Sequence, residues 1–247
     1  MQTPNTDIFG KAIIDFYENN YSEDIIVHSS IAEDDEIPVP YLFRDFQEMP
    51  QLEQTALNLA TGSTLDVGCG AGSHALYLKE KGLAVTAIDT SQGATEICKK
   101  RGISRVFNTN LLDFTAQNAD KFDTILLLMN GSGIFESIKK FPLYLEHLKT
   151  LLQDDGQIFL DSSDISYMFE EEDGSYWRDA ARDYYGEVTF SLSYKGEQSA
   201  TFNWLYLDSE TLNKAAKKAG FNCEIIAEGE HFDYLAKLTL RKEATKN

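Results

Sequence analysis

The sequence predicts an α/β protein built on a mostly parallel β-sheet, and three observations support this prediction. An apolar run ending at Val67 enters a glycine-rich turn, and apolar residues at helical spacing follow that turn. Further short apolar runs alternate with helical patterns up to about residue 162. The run at residues 122–128 is almost continuously apolar, which is typical of a strand buried on both faces.

The composition fits one globular domain spanning residues 1–247, with 43% hydrophobic and 25% charged residues. No apolar run approaches the roughly 18 residues of a membrane span, and residues 1–5 do not resemble a secretion signal. We therefore expect a cytoplasmic protein without a membrane partner. The formal charge of −18 argues against a nucleic-acid partner, because such binding depends on clustered Lys and Arg.

The three cysteines, Cys69, Cys98 and Cys223, are scattered along the chain and form no C-x-x-C pair. We expect them to be reduced thiols, without a disulfide or a metal site. The sequence does not predict the oligomeric state.

The turn at residues 68–72 has a glycine at every second position. Glycine is required where a turn needs backbone angles that a Cβ forbids, and where a ligand approaches the main chain closely. The helix that begins near Gly72 directs its free N–H groups and positive dipole end toward negative charge. These features predict a nucleotide-binding βα unit.

The next apolar run, residues 83–88, ends at Asp89, 19 residues after Gly70. A carboxylate at this place accepts hydrogen bonds from both hydroxyls of a ribose, which predicts an adenosine-containing ligand. The dinucleotide fingerprint has its third glycine one residue later, at the place of Ser73. An NAD-dependent oxidoreductase is therefore the less favoured class.

The run Leu65–Gly72 resembles motif I of the class I S-adenosylmethionine (SAM)-dependent methyltransferases, and Val85–Asp89 resembles their second motif. The resemblance implies a Rossmann-like sheet of seven mostly parallel strands, with the last strand antiparallel. It implies SAM as the cofactor.

The resemblance covers residues 63–162 and 208–241, which we expect to form the SAM-binding core. Residues 1–60 are expected to form an N-terminal helical lid, because such a prefix often folds over the cofactor in this family. Residues 163–207 are expected to form an inserted antiparallel hairpin that acts as a substrate lid.

The resemblance also implies which side chains bind SAM. Asp89 binds the ribose, Asn110 or Asp113 meets the adenine amino group, and an apolar neighbour packs on the ring. Tyr41 and Arg44 reach the SAM carboxylate or a substrate, unless they are a surface aromatic and an ion pair. The predicted cofactor-binding residues are Tyr41, Arg44, Asp66, Gly68, Cys69, Gly70, Gly72, His74, Asp89, Thr90, Asn110, Leu111, Met129 and Asn130.

The prefix is predicted to contain an amphipathic helix at residues 7–21, an acidic solvated loop at 33–36 and a helix at about 50–60. After Asp89 we expect a helix over residues 91–101 and a third strand at 104–107.

The fourth strand, residues 122–128, opens into Asn130-Gly131-Ser132-Gly133 and resembles the family's fourth motif. Met129 and Asn130 should therefore line the methyl-transfer site, at the reversal of strand order where open α/β sheets bind ligands. Some family members that alkylate amide or amino nitrogens carry Asn-Pro-Pro-aromatic here. This chain has Asn130-Gly131-Ser132-Gly133 instead, and the resemblance therefore does not imply that substrate class.

A helix from Pro142 to about Leu152 is predicted to lead through a turn at 154–156 into a fifth strand at 157–161. Within the insertion, residues 186–194 and 201–207 alternate apolar and polar side chains across a glycine-containing loop, which predicts an antiparallel hairpin. Its aromatic face is either a substrate wall or a packing surface for the N-terminal segment.

Asp208 is predicted to cap a helix over residues 209–219, which Gly220 ends. The last two strands are predicted at residues 221–226 and 234–240.

These patterns predict a methyltransferase that acts on a small molecule by in-line displacement. A protein methyltransferase and a non-catalytic SAM-binding protein are the alternatives. A general base is optional in this chemistry, and the candidates are His231, Asp161 and Asp164. His74 contacts the amino-acid end of SAM or faces solvent.

A magnesium-dependent type of methyltransferase needs a carboxylate at the end of the fourth strand, where this chain has Met129 and Asn130. We therefore expect no metal.

Overall fold

The computed structural model describes residues 6–115, 120–170 and 183–242. The helices are α1 Ile8–Tyr17, α2 Gln51–Leu59, α3 Ser73–Glu80, α4 Gln92–Lys100, α5 Phe141–Leu151 and α6 Ser209–Lys218. The strands are β1 Ile25–Ser29, β2 Asp35–Ile37, β3 Ser63–Val67, β4 Ala84–Asp89, β5 Arg105–Asn108, β6 Phe122–Leu127, β7 Leu152–Ser163, β8 Glu187–Tyr194, β9 Glu197–Gln198, β10 Phe202–Leu205, β11 Phe221–Glu228 and β12 Asp233–Leu240.

Seven strands form the large sheet in the order β11-β12-β7-β6-β3-β4-β5. Neighbouring strands from β7 to β5 are parallel, whereas β12 is antiparallel to both β7 and β11. The predicted seven-stranded, mostly parallel sheet with an antiparallel last strand is confirmed. The chain reverses its direction of travel across the sheet between β3 and β6, which is where such sheets bind ligands.

Helices cover both faces of this sheet, and their apolar sides form its two main cores. On one face, α5 and α6 bury Leu145, Leu148 and Leu212. On the other face, α2 and α3 bury Leu57 and Leu78. Burial on both sides explains why β6 is apolar along its whole length.

A second, antiparallel sheet has the order β10-β8-β1-β2, with β9 paired to β8. The predicted hairpin is present, since Phe202 pairs with Phe190 and Trp204 with Val188. The prefix, which was expected to be a helical lid, contains helices α1 and α2 but also a strand, because residues 25–29 pair with β8. The acidic segment 33–36 likewise ends in the edge strand β2. Strand β1 is stabilised by a partner far along the chain, and β2 in turn pairs only with β1 among the described residues, so local periodicity does not reveal these strands.

The start of the fifth strand of the core also differs slightly from the prediction. Leu152 pairs with Phe122 and Gln157 pairs with Thr124, so residues 153–156 bulge out where a turn was predicted.

The N-terminal helix α1 packs against α4 beside the glycine turn. Asp7 caps α1 by accepting from the Gly10 N–H at 2.9 Å, and its other oxygen accepts from the Ser91 hydroxyl at 3.0 Å and the Gly93 N–H at 2.9 Å. One carboxylate therefore binds the N-termini of two helices, where negative charge is favourable. Gly93 allows the close approach, because a Cβ there would lie 2.6 Å from the Gly10 backbone.

In the part of the chain that the structure describes, no helix is both long enough and apolar enough to cross a membrane.

Candidate active site

The glycine turn leaves β3 at the carboxyl edge of the large sheet. Gly68, Gly70 and Gly72 have φ angles of 73°, 52° and 89°, a region that side chains with a Cβ rarely occupy. The N–H groups of Gly68 and Cys69 both donate to the Ile88 carbonyl, which ties the turn to β4. The sequence thus forms a fixed, hydrogen-bonded loop at the start of α3.

Asp89 ends β4 beside this turn, as predicted. Its carboxylate accepts from the Gly70 N–H at 2.9 Å and from the Ser91 N–H at 2.8 Å. Burial raises the pKa of Asp89 to about 6, although the hydrogen bonds from Ser91 and Gly70 oppose that rise. Thr90 follows and is exposed.

The end of β5 lies next to Asp89 in the sheet, and a short 3-10 turn, Leu111–Asp113, follows it. Asn110 caps this turn by accepting from the Leu112 N–H at 2.9 Å. Leu111 is buried beneath it. Asn110 and Leu111 thus follow the strand end beside Asp89, where the resemblance places the adenine. Their contact with adenine stays a prediction.

The loop after β6 contains two residues that are not glycine in the left-handed region, Met129 with φ 66° and Asn130 with φ 55°. Asp161, on β7, accepts from the Met129 N–H at 3.0 Å and from the Gly131 N–H at 2.9 Å. Burial raises the pKa of Asp161 to about 6, and the hydrogen bonds from the loop lower it. Asp161 therefore holds a strained loop in place. Within that loop, Met129 remains 38% exposed.

The hairpin packs on the segment that follows this loop. A Cβ at Gly133 would overlap the Trp204 indole, so the ring lies directly on the glycine. The Ser132 hydroxyl donates to the Leu205 carbonyl at 2.7 Å and contacts the Ser162 hydroxyl at 2.7 Å. The hairpin is thus bound to the segment after β6, and the Leu207 N–H that follows the hairpin donates to Ser162 on β7.

The aromatic face of the hairpin was interpreted as either a substrate wall or a packing surface for the N-terminal segment, and its two ends differ in this respect. Tyr194 is buried with α1 and β1, and Leu192 packs against that cluster. Phe202 and Trp204 lie at the other end, near the loop after β6. The first part packs the N-terminal segment, and the second borders the predicted acceptor site.

Arg44 comes from the prefix and is buried, with 5% of its surface exposed. Its guanidinium donates to Glu53 at 2.5 Å and to the Tyr41 carbonyl at 2.8 Å, and it lies 4.1 Å from the centre of the Tyr41 ring. The ring of Tyr41 is 38% exposed. Arg44 thus forms an ion pair, as the alternative expected, although this pair is buried, and Tyr41 is a partly exposed aromatic residue beside it. A contact of Tyr41 or Arg44 with SAM stays a prediction.

His74, in the first turn of α3, is buried, so the solvent-facing alternative is wrong. Its Nε2 lies 2.6 Å from Glu53 Oε2, and its Nδ1 lies 4.0 Å from Asp66 Oδ1. Burial lowers the pKa of His74, but the Glu53 hydrogen bond and the Asp66 charge raise it above its ordinary value. Burial raises the pKa of Asp66.

The other candidate bases lie along the same edge. Asp164 accepts from the Ser166 N–H at 2.9 Å and from the Tyr185 hydroxyl at 2.8 Å, both through Oδ1. His231 is exposed in the turn between β11 and β12. In that turn, Phe232 has φ 59° and stacks on Tyr167 at 5.0 Å.

No group of three or more His, Cys, Asp or Glu side chains that would hold a metal ion occurs among the described residues. Cys69 is buried, and its hydrogen bond with Cys98 and its burial raise the pKa of the Cys69 thiol well above the ordinary value. The geometry therefore favours Cys69 as a small packing residue in the turn.

A Ser–His–Asp chain lies outside this edge, on the antiparallel sheet. His28 contacts Ser193 through Nε2 and Asp34 through Nδ1, each at 2.9 Å. Ser193 lies within β8 and pairs with residues on both sides, so no sharp turn presents it as a nucleophile.

Glu53 is the residue that sequence reasoning missed. It lies on the same face of α2 as Leu52, Ala56 and Leu57, and all four are buried. A carboxylate inside an apolar helical face indicates a buried partner, because an unpaired charge there is costly. The sequence therefore indicates that Glu53 has a buried partner, although it does not indicate which residues those partners are.

The methyltransferase domain family matches residues 41–225 of the chain. A SAM-dependent methyltransferase from Bacteroides fragilis, solved with S-adenosylhomocysteine, is 47% identical, with 98% of each chain covered and a TM-score of 0.89.

Curated relatives match a smaller part of this chain. (S)-Coclaurine N-methyltransferase from Thalictrum flavum subsp. glaucum is 32% identical over 125 residues, which are 47% of this chain and 33% of that protein. Ubiquinone biosynthesis O-methyltransferase from Haemophilus ducreyi is 31% identical over 117 residues, 43% of this chain and 48% of that protein. The chain thus spans about a third to a half of the curated relatives that it matches. With the motifs, the sheet order and the family match in agreement, the chain belongs to the methyltransferase domain family.

Proposed function

We propose that the protein transfers a methyl group from SAM to a small-molecule acceptor at the carboxyl edge of the large sheet. The observation that carries the proposal is the position of Trp204. Its indole lies on Gly133, directly after the strained loop of Met129 and Asn130, and so covers the acceptor side of the edge. A covered site suits a small molecule better than a peptide, which needs an open groove.

The described residues fit the cofactor. The left-handed glycine turn and Asp89 suit an adenosyl group, and Asn110 and Leu111 flank the same side. Within the described residues, Arg44 Nε and Asp66 Oδ2 are buried without a hydrogen-bond partner. Such atoms suit the charged amino-acid end of the same molecule.

SAM supplies a methyl group on a sulfonium that is already activated. The protein's work is then to align the acceptor about 3 Å from that methyl group and to exclude water. Asp161 contributes by holding the backbone of Met129 and Gly131, and the hairpin contributes by covering the edge.

If a proton must be accepted, Asp164 is better placed than Asp161. Both oxygens of Asp161 already accept backbone N–H groups, whereas the two hydrogen bonds of Asp164 share one oxygen. The turn that holds His231 pairs with the start of that segment, since the Asp164 N–H donates to the Phe232 carbonyl at 2.9 Å.

We expect an acceptor with an apolar body and no strong anionic group. Residues 12–43, 122–138, 196–208 and 219–236 contain no Lys or Arg, although they include much of this edge and the hairpin. Arg44, which adjoins them, is paired with Glu53. The relatives reported above are named for small-molecule methylation, which supports the same class.

The test is incubation of the purified protein with methyl-labelled SAM and a cell extract, followed by separation of small molecules from macromolecules. The proposal predicts label in the small-molecule fraction, and about tenfold less label with Asp89→Ala at limiting SAM. Label in the protein fraction would show a protein methyltransferase and overturn the small-molecule acceptor. Bound SAM with no labelled product in any extract would favour a non-catalytic SAM-binding protein.

A further inference from the structure

Four ionisable side chains form one buried cluster between the prefix and the core. Arg44, Glu53, Asp66 and His74 are 5%, 3%, 2% and 7% exposed, respectively. Arg44 and Glu53 belong to the prefix, whereas Asp66 lies near the end of β3 and His74 in the first turn of α3, on either side of the glycine turn. Charged groups this deeply buried need close partners of opposite charge.

Glu53 connects the two halves of this cluster. A single oxygen, Oε2, lies 2.5 Å from Arg44 and 2.6 Å from His74. Burial opposes its charge, but the hydrogen bond from His74 and the charges of His74 and Arg44 hold the pKa of Glu53 below its ordinary value. The carboxylate thus fixes one side chain from each half relative to the other.

Two polar atoms of the cluster lack a partner in the described structure, Arg44 Nε and Asp66 Oδ2. Arg44 Nε is a hydrogen-bond donor and Asp66 Oδ2 is an acceptor. Leaving such atoms buried and unpaired is costly, and in natural proteins each one calls for an explanation. The amino-acid end of SAM carries a carboxylate and an ammonium, which complement a donor and an acceptor of this kind.

We propose that Glu53 is a positioning residue for the amino-acid end of the cofactor. It holds Arg44 and His74, and His74 lies 4.0 Å from Asp66, so Glu53 orders the cluster without touching the ligand itself. The inference rests on the proposed function, because it concerns the same cofactor. It adds a residue outside the glycine turn and explains why a carboxylate lies on the apolar face of α2.

The experiment compares two ligands that differ only at the end in question. S-adenosylhomocysteine carries the amino-acid end, whereas 5′-methylthioadenosine has the adenosyl group without it. Both are titrated by calorimetry into the wild type, Glu53→Gln and Glu18→Gln. Glu18 is a matched control, because its carboxylate pairs with Lys100 on the surface.

We expect Glu53→Gln to weaken S-adenosylhomocysteine about tenfold or more and to leave 5′-methylthioadenosine within about twofold. Glu18→Gln should change neither affinity. Equal weakening of both ligands, or no change in either, would overturn the positioning role. Failure of the wild type to bind either ligand would contradict the proposed function instead.

A second variant covers the case in which Glu53→Gln does not fold. His74→Gln removes one partner of Glu53 and leaves the Arg44–Glu53 pair in place. It should produce the same selective loss of S-adenosylhomocysteine, by about fivefold or more. An unchanged ratio of the two affinities in this variant would overturn the inference.

Discussion

The carboxyl edge of the large sheet has two sides that are built differently. The proposed adenosyl side consists of the glycine turn, Asp89 and the turn after β5, and its hydrogen bonds mostly join residues within about 20 positions. The proposed acceptor side consists of the loop after β6 and the hairpin, and its hydrogen bonds join residues 30 to 73 positions apart. One side is fixed by local backbone conformation, and the other by tertiary contacts.

This difference determines what each side requires of its residues. On the proposed adenosyl side, the site depends on backbone angles and one carboxylate, so we expect it to tolerate few substitutions. On the acceptor side, Asp161 and the hairpin act by placing a loop and covering it. We therefore expect changes on the adenosyl side to alter cofactor affinity, and changes on the acceptor side to alter turnover or acceptor affinity.

The largest effect is expected from Gly72→Val. The residue has φ 89°, and a Cβ there would lie 2.8 Å from the Cys98 sulfur. The unfolding free energy should fall by about 3 kcal/mol, and S-adenosylhomocysteine binding should be lost in the same variant. Urea denaturation and calorimetry measure the two effects. Gly82→Ala is the matched control, since Gly82 has φ 84° with no atom within 4 Å of a new Cβ and should lose only about 1 kcal/mol.

The next effect concerns Asp89 and pH. Because its pKa in the free protein is raised to about 6, the carboxylate is protonated below that pH and no longer accepts both ribose hydroxyls. Binding then requires loss of a proton, so affinity for S-adenosylhomocysteine should fall as pH decreases through 6, by up to about tenfold per pH unit. Asp89→Asn should bind about tenfold more weakly at pH 8 and lose most of this dependence. An equally steep pH profile in Asp89→Asn would show that another group is responsible.

A smaller effect is expected from Asp161→Asn. The amide has only one acceptor oxygen for the two N–H groups of Met129 and Gly131, so one of them loses its partner. The turnover number should fall about tenfold because the loop is misplaced, while affinity for S-adenosylhomocysteine stays within about twofold. Steady-state kinetics with the identified acceptor, together with calorimetry, separates these outcomes. A loss of cofactor affinity equal to that of turnover would place Asp161 on the adenosyl side.

The smallest effect is expected from Trp204→Ala. Its indole covers Gly133, and its removal should raise the KM for the acceptor about fivefold through lost apolar contact. Asn203→Ala is a suitable control, because Asn203 is exposed on the same strand. An unchanged KM in Trp204→Ala would show that the indole does not contact the acceptor.

The sequence could predict the glycine turn and the place of Asp89 because these features are local. Glycine spacing implies left-handed backbone, and the position of Asp89 follows from the length of one βα unit. The hairpin was also predictable, because alternation on both sides of a short loop is a local pattern. The cap formed by Asp208 on α6 follows from the same kind of signal.

The remaining features depend on partners distant in sequence. Strand β1 pairs with β8, so that Ile26 lies opposite Ser193. No local pattern in residues 25–29 indicates this pairing. Glu53 has partners 9 and 21 positions away that only the packing of the prefix brings together. Local propensity is a weak guide for such elements, because tertiary contacts stabilise them.

The most direct test of the division between the two sides is a calorimetric titration of S-adenosylhomocysteine into the wild type, Asp89→Asn and Trp204→Ala. We predict that the wild type and Trp204→Ala bind with dissociation constants within about twofold, whereas Asp89→Asn binds about tenfold more weakly. Equal weakening in the two variants, or no effect of Asp89→Asn, would contradict the division.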